Sequence, residues 1–300
     1  MLSKILSKQL NEAFSHISYD KLNEIRMREG KPIVVFLGGQ AYFLSEKGLT
    51  NKLEHAIIGT KEMIGDVVFR ASECSLYAVN EQLKKGFLTI AGGIRLGVAG
   101  EFVAENGVVK TVKNFSSLCI RIPHIIKNCS LNAFEHLLTN KSLQNTLVIS
   151  PPGAGKTTFV RDFVFQLSQH RFCANILVLD ERGEIVLSES ESIGNFADVI
   201  LYSTKKSGFE VGIRSLAPNL IVTDELGNEE DLKAIEYAVN CGVNVMATTH
   251  ADSLVTLKKK VGFEKILKDK VFSRYVILSL REGPGTLEGV YNENFERLPC

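Results

Sequence analysis

The segment that most constrains the fold of this chain spans residues 146–169. Residues 146–149 are apolar and rich in β-branched side chains, which is typical of a buried strand. The sequence SPPGAGKTT follows at residues 150–158, and a helical stripe of apolar residues extends from there to residue 169. Strand, glycine-rich loop and helix in this order match the phosphate-binding loop G-x-x-x-x-G-K-[ST] at all but its first position. The segment therefore predicts an α/β fold with a nucleotide site.

The residue types of this loop suit a phosphate group and a metal ion. Gly153 and Gly155 allow a tight backbone whose N–H groups point inward, and the following helix adds its positive end. Lys156 can reach the β- and γ-phosphates, and Thr157 can place its hydroxyl on Mg²⁺. The predicted nucleotide-binding residues are Pro152, Gly153, Ala154, Gly155, Lys156, Thr157 and Thr158.

Ser150 stands where the loop pattern asks for glycine. Pro151 and Pro152 stiffen the entry, and proline restricts the residue before it to extended angles, which serine accepts. We therefore expect a working loop in which Ser150 is either tolerated or helps to hold the backbone. A strand and a loop that match the pattern by chance are the alternative.

Two further apolar segments end in paired carboxylates. ILVLDERGEI carries Asp180 and Glu181, and NLIVTDELGNEED carries Asp224 and Glu225. Ligands of open α/β sheets bind at the carboxyl ends of the strands, so both pairs are candidates for the nucleotide site. We assign Asp224 to a water-mediated contact with Mg²⁺ and Glu225 to polarising the attacking water. Glu181 is a second candidate catalytic carboxylate, and a solvated loop start is the alternative for either pair.

A third strand, predicted at Val243–Thr248, leads to His250. A polar group at that position can sense the γ-phosphate, whereas the alternative is a hydrogen-bonding residue near the surface. Arg182 and Arg214 are candidates for stabilising charge, either in cis or from a neighbouring subunit. An ordinary salt-bridge or surface residue is the alternative for each of them.

Residues 139–300 carry near-continuous apolar runs that alternate with helical patterns. This arrangement is typical of a parallel sheet buried on both faces, and we therefore place a P-loop domain here, with its boundary after residue 138. The predicted strands are Asn145–Ile149, Ala174–Leu179, Asn219–Thr223, Val243–Thr248 and Arg274–Leu280.

Residues 1–138 favour a small α+β domain. The apolar residues of Met1–Ile17 recur at helical spacing, which predicts a packing helix, with a membrane-surface helix as the alternative. Gly38-Gly39 separates two strand-like runs, and so does Asn106-Gly107. Each of these dipeptides therefore predicts a hairpin.

Bulk properties argue against several classes of protein. The formal net charge of the 300-residue chain is +1, which gives no electrostatic sign of nucleic-acid binding. Its six cysteines form no C-x-x-C pair, which favours reduced thiols over a structural zinc site. No apolar run approaches the roughly 20 residues of a membrane helix. We therefore expect a cytoplasmic protein that reaches a membrane through protein partners or a surface helix.

The four motifs occur in a familiar order: the phosphate loop, DERGEI, IVTDELG and ATTHADS. This order resembles the secretion-superfamily ATPases of type II and type IV systems, whose motifs are Walker A, Asp box, Walker B and His box. The sequence is more similar still to the stage III sporulation protein AA family, over Ser75 to Tyr291. The segments that carry this likeness include SLYAVNEQLKKGFLTIAGGIRLGVAGE, VKNFSSLCIRI, SPPGAGKTT, DERGEI, IRSLAPNLIVTDELG and GPGTLEGVY.

The resemblance implies a RecA-like core behind a small N-terminal domain, assembly of the chain into a homo-oligomeric ring, expected to be a hexamer, and ATP hydrolysis with Mg²⁺. It also implies that the ATPase works in the mother cell and serves the channel complex to the forespore, with integral membrane proteins as docking partners. Secretion ATPases outside this family often have glycine before the Walker B glutamate, where this chain has Asp224. The roles of Glu181 and Glu184 stay open.

Two other classes of function compete with a motor ATPase. One is a nucleotide-gated scaffold with little turnover, which would use the same loop residues. The other is a RecA-like nucleic-acid motor, against which the low net charge counts. Turnover per subunit separates the first alternative, and stimulation by DNA or RNA separates the second.

Overall fold

The computed structural model forms two compact units, Met1–His124 and Ile125–Cys300. It describes residues 2–77, 79–139, 142–170, 174–181, 183–186, 193–201 and 204–299. The helix Leu131–Leu137, which the sequence-based boundary puts in the first domain, lies in the core of the second unit through Ala133, Phe134 and Leu137.

The first unit is an antiparallel sheet with short helices. Its described α-helices are α1 (Leu2–Ile5), α2 (Lys8–Phe14), α3 (Lys61–Ala71) and α4 (Asn80–Lys84), and short 3₁₀ helices lie at Tyr19–Lys21, Leu53–His55 and Ala91–Gly93. Its described strands are β1 (Leu22–Arg28), β2 (Val34–Leu37), β3 (Gln40–Ser45), β4 (Gly48–Thr50), β5 (Phe87–Ile90), β6 (Ile94–Glu105) and β7 (Val108–Arg121). They are ordered β4-β3-β2-β1-β7-β6-β5, so the predicted α+β character of this half is confirmed.

Both predicted hairpins of the first unit are confirmed. Gly38-Gly39 joins β2 to β3, and Asn106-Gly107 joins β6 to β7. All four turn residues have a positive φ, between 52° and 85°. Two-residue turns that match the twist of the strands require this conformation, and glycine and asparagine adopt it most readily.

The N-terminal segment packs on the core of the first unit, but it is not one continuous helix as predicted. Leu2, Ile5, Leu10 and Phe14 are each at most 4% exposed, so the apolar stripe is used for packing. Ser7 separates α1 from α2, because its hydroxyl accepts a hydrogen bond from the backbone N–H of Leu10 at 3.4 Å. A serine that caps one helix in this way interrupts the helix before it.

The second unit alternates strands and helices. Its described helices are α5 (Leu131–Leu137), α6 (Lys156–Gln169), α7 (Lys205–Leu216), α8 (Glu229–Asn240), α9 (Leu254–Lys258) and α10 (Glu264–Lys268). Its described strands are β8 (Leu138–Thr139), β9 (Ser142–Leu143), β10 (Thr146–Ser150), β11 (Ile176–Asp180), β12 (Ala197–Leu201), β13 (Leu220–Glu225), β14 (Asn244–His250), β15 (Arg274–Ser279) and β16 (Thr286–Asn292). Over the described part of the chain, no helix is long and apolar enough to span a bilayer.

The main sheet of the second unit has the order β12-β11-β13-β14-β10-β15-β16. The five predicted strands correspond to β10, β11, β13, β14 and β15, and they pair in parallel, as predicted. The edge strands β12 and β16 have no counterpart in the sequence prediction. Asp198 interrupts the apolar run of β12, and β16 contains a glycine and returns antiparallel to β15.

Both faces of this sheet are buried, which explains the near-continuous apolar strands. Leu147 and Ile149 of β10 enter one apolar cluster, and Val148 enters the other together with Phe159 and Phe163 of α6. The parallel pairing brings the carboxyl ends of β10, β11, β13 and β14 to one edge of the sheet. Every motif singled out in the sequence follows one of these four strand ends.

Candidate nucleotide-binding site

The phosphate loop joins the end of β10 to the first residue of α6. Gly153 and Gly155 have φ values of 76° and 88°, a left-handed conformation that glycine adopts without strain. Among the described residues, apart from Gly153 and its two chain neighbours, no heavy atom lies within 4 Å of the position that a Gly153 Cβ would take, so the loop is open there. A Cβ on Gly155 would lie 3.3 Å from the nitrogen of Gly285, whose N–H donates to the carbonyl of Ala154 at 3.1 Å.

The loop and the start of α6 fit a phosphate group bound with a divalent metal ion. The first N–H groups of a helix have no partner within it, and its positive end attracts anions. The backbone around the exposed Gly153 supplies an open, side-chain-free approach. Thr157 and Thr158 are half-buried in the first turn of α6. Hydroxyl and carboxylate oxygens are ligands that Mg²⁺ accepts, so Thr157 and Asp224 supply suitable donors.

Ser150 is fully buried and contributes to the loop through its hydroxyl and its backbone. Its Oγ donates to the carbonyl of Pro151 at 2.8 Å. The ammonium of Lys156 lies 3.4 Å from both the Oγ and the carbonyl oxygen of Ser150. A glycine, which the usual pattern has at this position, could not make the two contacts of the Ser150 hydroxyl.

Lys156 is held inside the site by His250. Its Nζ lies 2.7 Å from Nδ1 of His250, and the lysine is 8% exposed. Burial lowers the pKa of Lys156 to about 8, against an opposing effect of the Glu225 carboxylate. At neutral pH the side chain is therefore an ammonium group, which donates hydrogen bonds and accepts none.

His250 connects Lys156 to the acidic end of β13. Because Lys156 donates to Nδ1, that nitrogen accepts, and the ring proton lies on Nε2. Nε2 is 3.3 Å from Oε2 of Glu225 and can donate to it. The three residues form a chain from the phosphate loop to the predicted catalytic carboxylate. The structure thus brings together Lys156, His250 and Glu225, which lie far apart in the sequence.

The two acidic strand ends differ in environment. Asp180 is fully buried, and its carboxylate accepts backbone hydrogen bonds from Glu184, Ile185 and Val186 at 2.9–3.0 Å. Arg161 of α6 donates to the carbonyls of Glu184 and Ile185, both at 2.6 Å. Burial lowers the pKa of Arg161 to about 10, and the charge of Asp180 opposes this change. Asp180 therefore holds the following loop in place.

Replacing Asp180 with alanine is expected to lower the free energy of unfolding by about 2–4 kcal/mol. The change leaves three backbone N–H groups without their acceptor and removes a negative charge near the buried Arg161. Urea unfolding measures the effect. Asp198→Ala is the matched control, because Asp198 lies exposed on the neighbouring strand β12, opposite Leu177. Equal unfolding midpoints for the two variants would contradict this role.

Asp224 faces a buried lysine that the sequence analysis did not single out. Nζ of Lys205, at the start of α7, lies 3.1 Å from Oδ1 of Asp224 and 3.7 Å from Oδ2 of Asp231. The same ammonium donates to the carbonyl of Glu225. The backbone N–H of Glu181 lies 3.4 Å from Oδ2 of Asp224, whereas Glu181 itself is exposed.

Lys260 is a second residue that the sequence analysis missed. It follows α9, and its Nζ donates to Oγ1 of Thr249 at 2.6 Å and lies 3.4–3.5 Å from the carbonyls of Leu226 and His250. Burial lowers the pKa of Lys260. The lysine thereby ties the end of β14 to the residue that follows β13. Within a lysine-rich stretch such as 258–270, the sequence gives no signal that separates this lysine from its solvated neighbours.

Arg214, one of the two arginine candidates, makes no described contact with the site residues. Arg214 is exposed in the last turn of α7. Arg182 lies outside the described residues. Neither residue is therefore assigned a role within one chain.

The fold and the site together define a class of fold, a P-loop fold with a RecA-like core. The chain is similar in fold to the ATPase DotB of Legionella pneumophila, with a TM-score of 0.60 and 15% identity, over 90% of this chain and 74% of DotB. It is equally similar to the pilus retraction motor PilT, solved with bound ADP: TM-score 0.60, 14% identity, over 89% of this chain and 76% of PilT. The predicted secretion-ATPase fold is thereby confirmed.

The chain belongs to the stage III sporulation protein AA family. The family model described as "Sporulation stage III, protein AA" matches residues 1–298. Stage III sporulation protein AA of Bacillus subtilis (strain 168) is 32% identical over 305 residues, which cover 98% of this chain and 95% of that protein. A protein of Cyanidium caldarium described as "Uncharacterized protein ycf45" is 27% identical over 133 residues, which cover 42% of this chain and 39% of ycf45. The resemblance identified from the motifs is confirmed.

Proposed function

We propose that this protein is a Mg²⁺-dependent ATPase that acts as the motor of a sporulation channel. The observation that carries the proposal is the chain of contacts from Lys156 through His250 to Glu225, next to an open phosphate loop. If the loop matched the pattern by chance, contacts with a histidine and a glutamate from two other strand ends would not be expected.

The residues of the loop would hold the nucleotide through its phosphates. The N–H groups from Gly153 to Thr158 and the ammonium of Lys156 supply donors and positive charge. Thr157 and Asp224 would hold Mg²⁺, the latter through water. When bound, ATP supplies the phosphoanhydride bond to be cleaved, and Mg²⁺ offsets the charge that develops on its phosphates.

Glu225 is the residue to which we assign the proton of the attacking water. Nε2 of His250 contacts the Glu225 carboxylate, and Nδ1 accepts from Lys156. A movement of the Lys156 ammonium can therefore shift the imidazole ring and, with it, the carboxylate. If a bound phosphate group accepts the hydrogen bond that Lys156 donates to Nδ1 of His250, that nitrogen can bond to another partner. By this route the site can register whether a γ-phosphate is present.

The biological setting of the proposal follows from the family and the fold. Family membership supports a role in sporulation. We propose that this role is at the channel between mother cell and forespore, with integral membrane proteins as partners. The likeness in fold to DotB and to PilT, a retraction motor, supports a ring that turns ATP hydrolysis into movement. We propose a hexamer in the mother-cell cytoplasm, peripheral to the membrane through these partners.

Purified protein is expected to hydrolyse ATP with Mg²⁺, and hydrolysis is expected to stop when a chelator removes the metal ion.

In the presence of ATP, Glu225→Gln protein is expected to form a ring, which mass photometry and light scattering detect. The same protein without ATP is the control. A monomer under all conditions would contradict the motor, and assembly with ATP but negligible wild-type turnover would favour the nucleotide-gated scaffold. Stimulation of turnover by DNA or RNA would favour the nucleic-acid motor.

A further inference from the structure

A buried lysine ammonium, that of Lys205, lies at the acidic end of β13. Lys205 is 7% exposed, and its ammonium is surrounded by oxygens from Asp224, Glu225 and Asp231. A buried ammonium is stable only where such partners replace its water. The next residue, Lys206, is exposed, so the burial is specific to one of two adjacent lysines.

The partners of Lys205 are themselves fixed. Oδ2 of Asp231 accepts the N–H of Gly227 at 2.8 Å, and Asn228 completes a capping box with Asp231 at the start of α8. Lys205 therefore links the first turns of α7 and α8 to the two residues that end β13. Through Asp224 and the Glu225 carbonyl, it acts on the position of the predicted base without reaching the reacting atoms.

The contact with Asp224 also has a consequence for the metal ion. Oδ1 of Asp224 is 3.1 Å from the Lys205 ammonium, and Oδ2 faces the N–H of Glu181 at 3.4 Å. A divalent cation that uses Asp224, directly or through water, must share this carboxylate with the buried ammonium of Lys205. Two positive charges that share one carboxylate repel each other, and a partly buried site screens this repulsion less than water does.

We propose that Lys205 is a positioning residue whose ammonium holds the Asp224 carboxylate and the Glu225 main chain, and competes with the divalent metal ion for Asp224. The proposal rests on the function proposed above. Lys205 then has two opposite effects. Its ammonium keeps Glu225 in place for turnover, and it lowers the affinity of the site for the metal ion.

Lys205→Met tests both effects in the full-length protein. We expect kcat to fall roughly tenfold to hundredfold, because the base is less well positioned, with KM for ATP changed less than about threefold. We expect Mn²⁺, used in place of Mg²⁺ with ADP, to bind at least about threefold more tightly, because a repelling charge is gone. Electron paramagnetic resonance of free Mn²⁺ measures this binding without turnover.

Three comparisons keep the test decisive. Lys206→Met is the matched control and should leave kcat and Mn²⁺ affinity unchanged. Lys205→Arg restores the charge and should return Mn²⁺ affinity to the wild-type value. If Lys205→Met does not fold, Lys205→Gln, which keeps a polar head, replaces it in the same two measurements with the same expected directions.

The outcomes separate this proposal from simpler ones. Unchanged kcat together with unchanged Mn²⁺ affinity would overturn it. A fall in kcat with unchanged or weaker Mn²⁺ binding would also overturn it, because lost packing alone would then suffice. If the wild-type protein hydrolyses no ATP, the proposed function fails, while Mn²⁺ binding with ADP still tests the competition between Lys205 and the metal ion.

Discussion

Replacing Glu225 with glutamine is expected to lower ATP turnover by a factor on the order of 10²–10⁴ while ATP still binds. A carboxylate can take a proton from the attacking water, and an amide cannot. The amide oxygen of glutamine can still accept the hydrogen bond from Nε2 of His250, which lies 3.3 Å from Oε2 of Glu225. The phosphate loop keeps its residues, and Lys156 loses only the favourable charge of Glu225. The rate of phosphate production should therefore fall far more than the affinity for a fluorescent ATP analogue.

Glu181→Gln is the matched control, because it makes the same change at the neighbouring acidic strand end. Glu181 is exposed, and its described contact with Asp224 uses the backbone N–H, which the substitution keeps. Turnover should stay within about twofold of wild type, because the side chain of Glu181 is no part of the chain of contacts from Lys156 to Glu225. Should Glu225→Gln hydrolyse ATP at the wild-type rate while Glu181→Gln does not, the two carboxylates would have to exchange roles.

The phosphate loop could be predicted from the sequence because its geometry is local. Gly153 and Gly155 stand where the backbone must be left-handed, and Lys156 follows at the start of a helix; all of this is encoded within a few residues. The hairpin turn at Asn106-Gly107 was predictable for the same reason. Local conformational preferences act whatever the rest of the chain does.

The difference between the two acidic pairs could not be predicted from the sequence. ILVLDE and LIVTDE have nearly the same pattern of apolar residues and carboxylates. What separates them is their surroundings: Asp180 accepts three backbone N–H groups of its own loop, whereas Asp224 meets Lys205 from α7. Which helix lies beside which strand end depends on the order of strands in the sheet, and that order is a property of the whole fold.

The two lysines at the strand ends were missed for a related physical reason. A lysine with flanking polar residues normally indicates a solvated face, and Lys205 and Lys260 both lie in such stretches. Lys205 is buried and Lys260 is half-buried because oxygens from other elements surround each ammonium: Asp224 and Asp231 for Lys205, Thr249 for Lys260. Long-range partners of this kind leave no periodic signal in the sequence.

Lys156→Met should weaken ATP binding by between about tenfold and hundredfold, because a charge-assisted contact with the phosphates is lost. The same substitution should not destabilise the nucleotide-free protein at pH 7. Burial lowers the pKa of Lys156 from 10.5 to about 8, so the folded protein bears a cost for holding the ammonium. Methionine fills a similar volume without that cost. Isothermal titration calorimetry and thermal unfolding measure the two effects.

The pH dependence of unfolding distinguishes this explanation from a general change in packing. Because the folded pKa of Lys156, about 8, lies below its ordinary value of 10.5, the unfolded chain binds more protons between these pH values. The wild-type protein therefore gains stability from this group as the pH rises through that window, and the methionine variant does not. The advantage of the variant should be largest below pH 8 and shrink towards pH 10.5. Lys259→Ala, at an exposed lysine, is the control and should change neither ATP affinity nor this pH profile. If the difference in stability between Lys156→Met and the wild-type protein stays constant across the window, packing and not charge sets the stability.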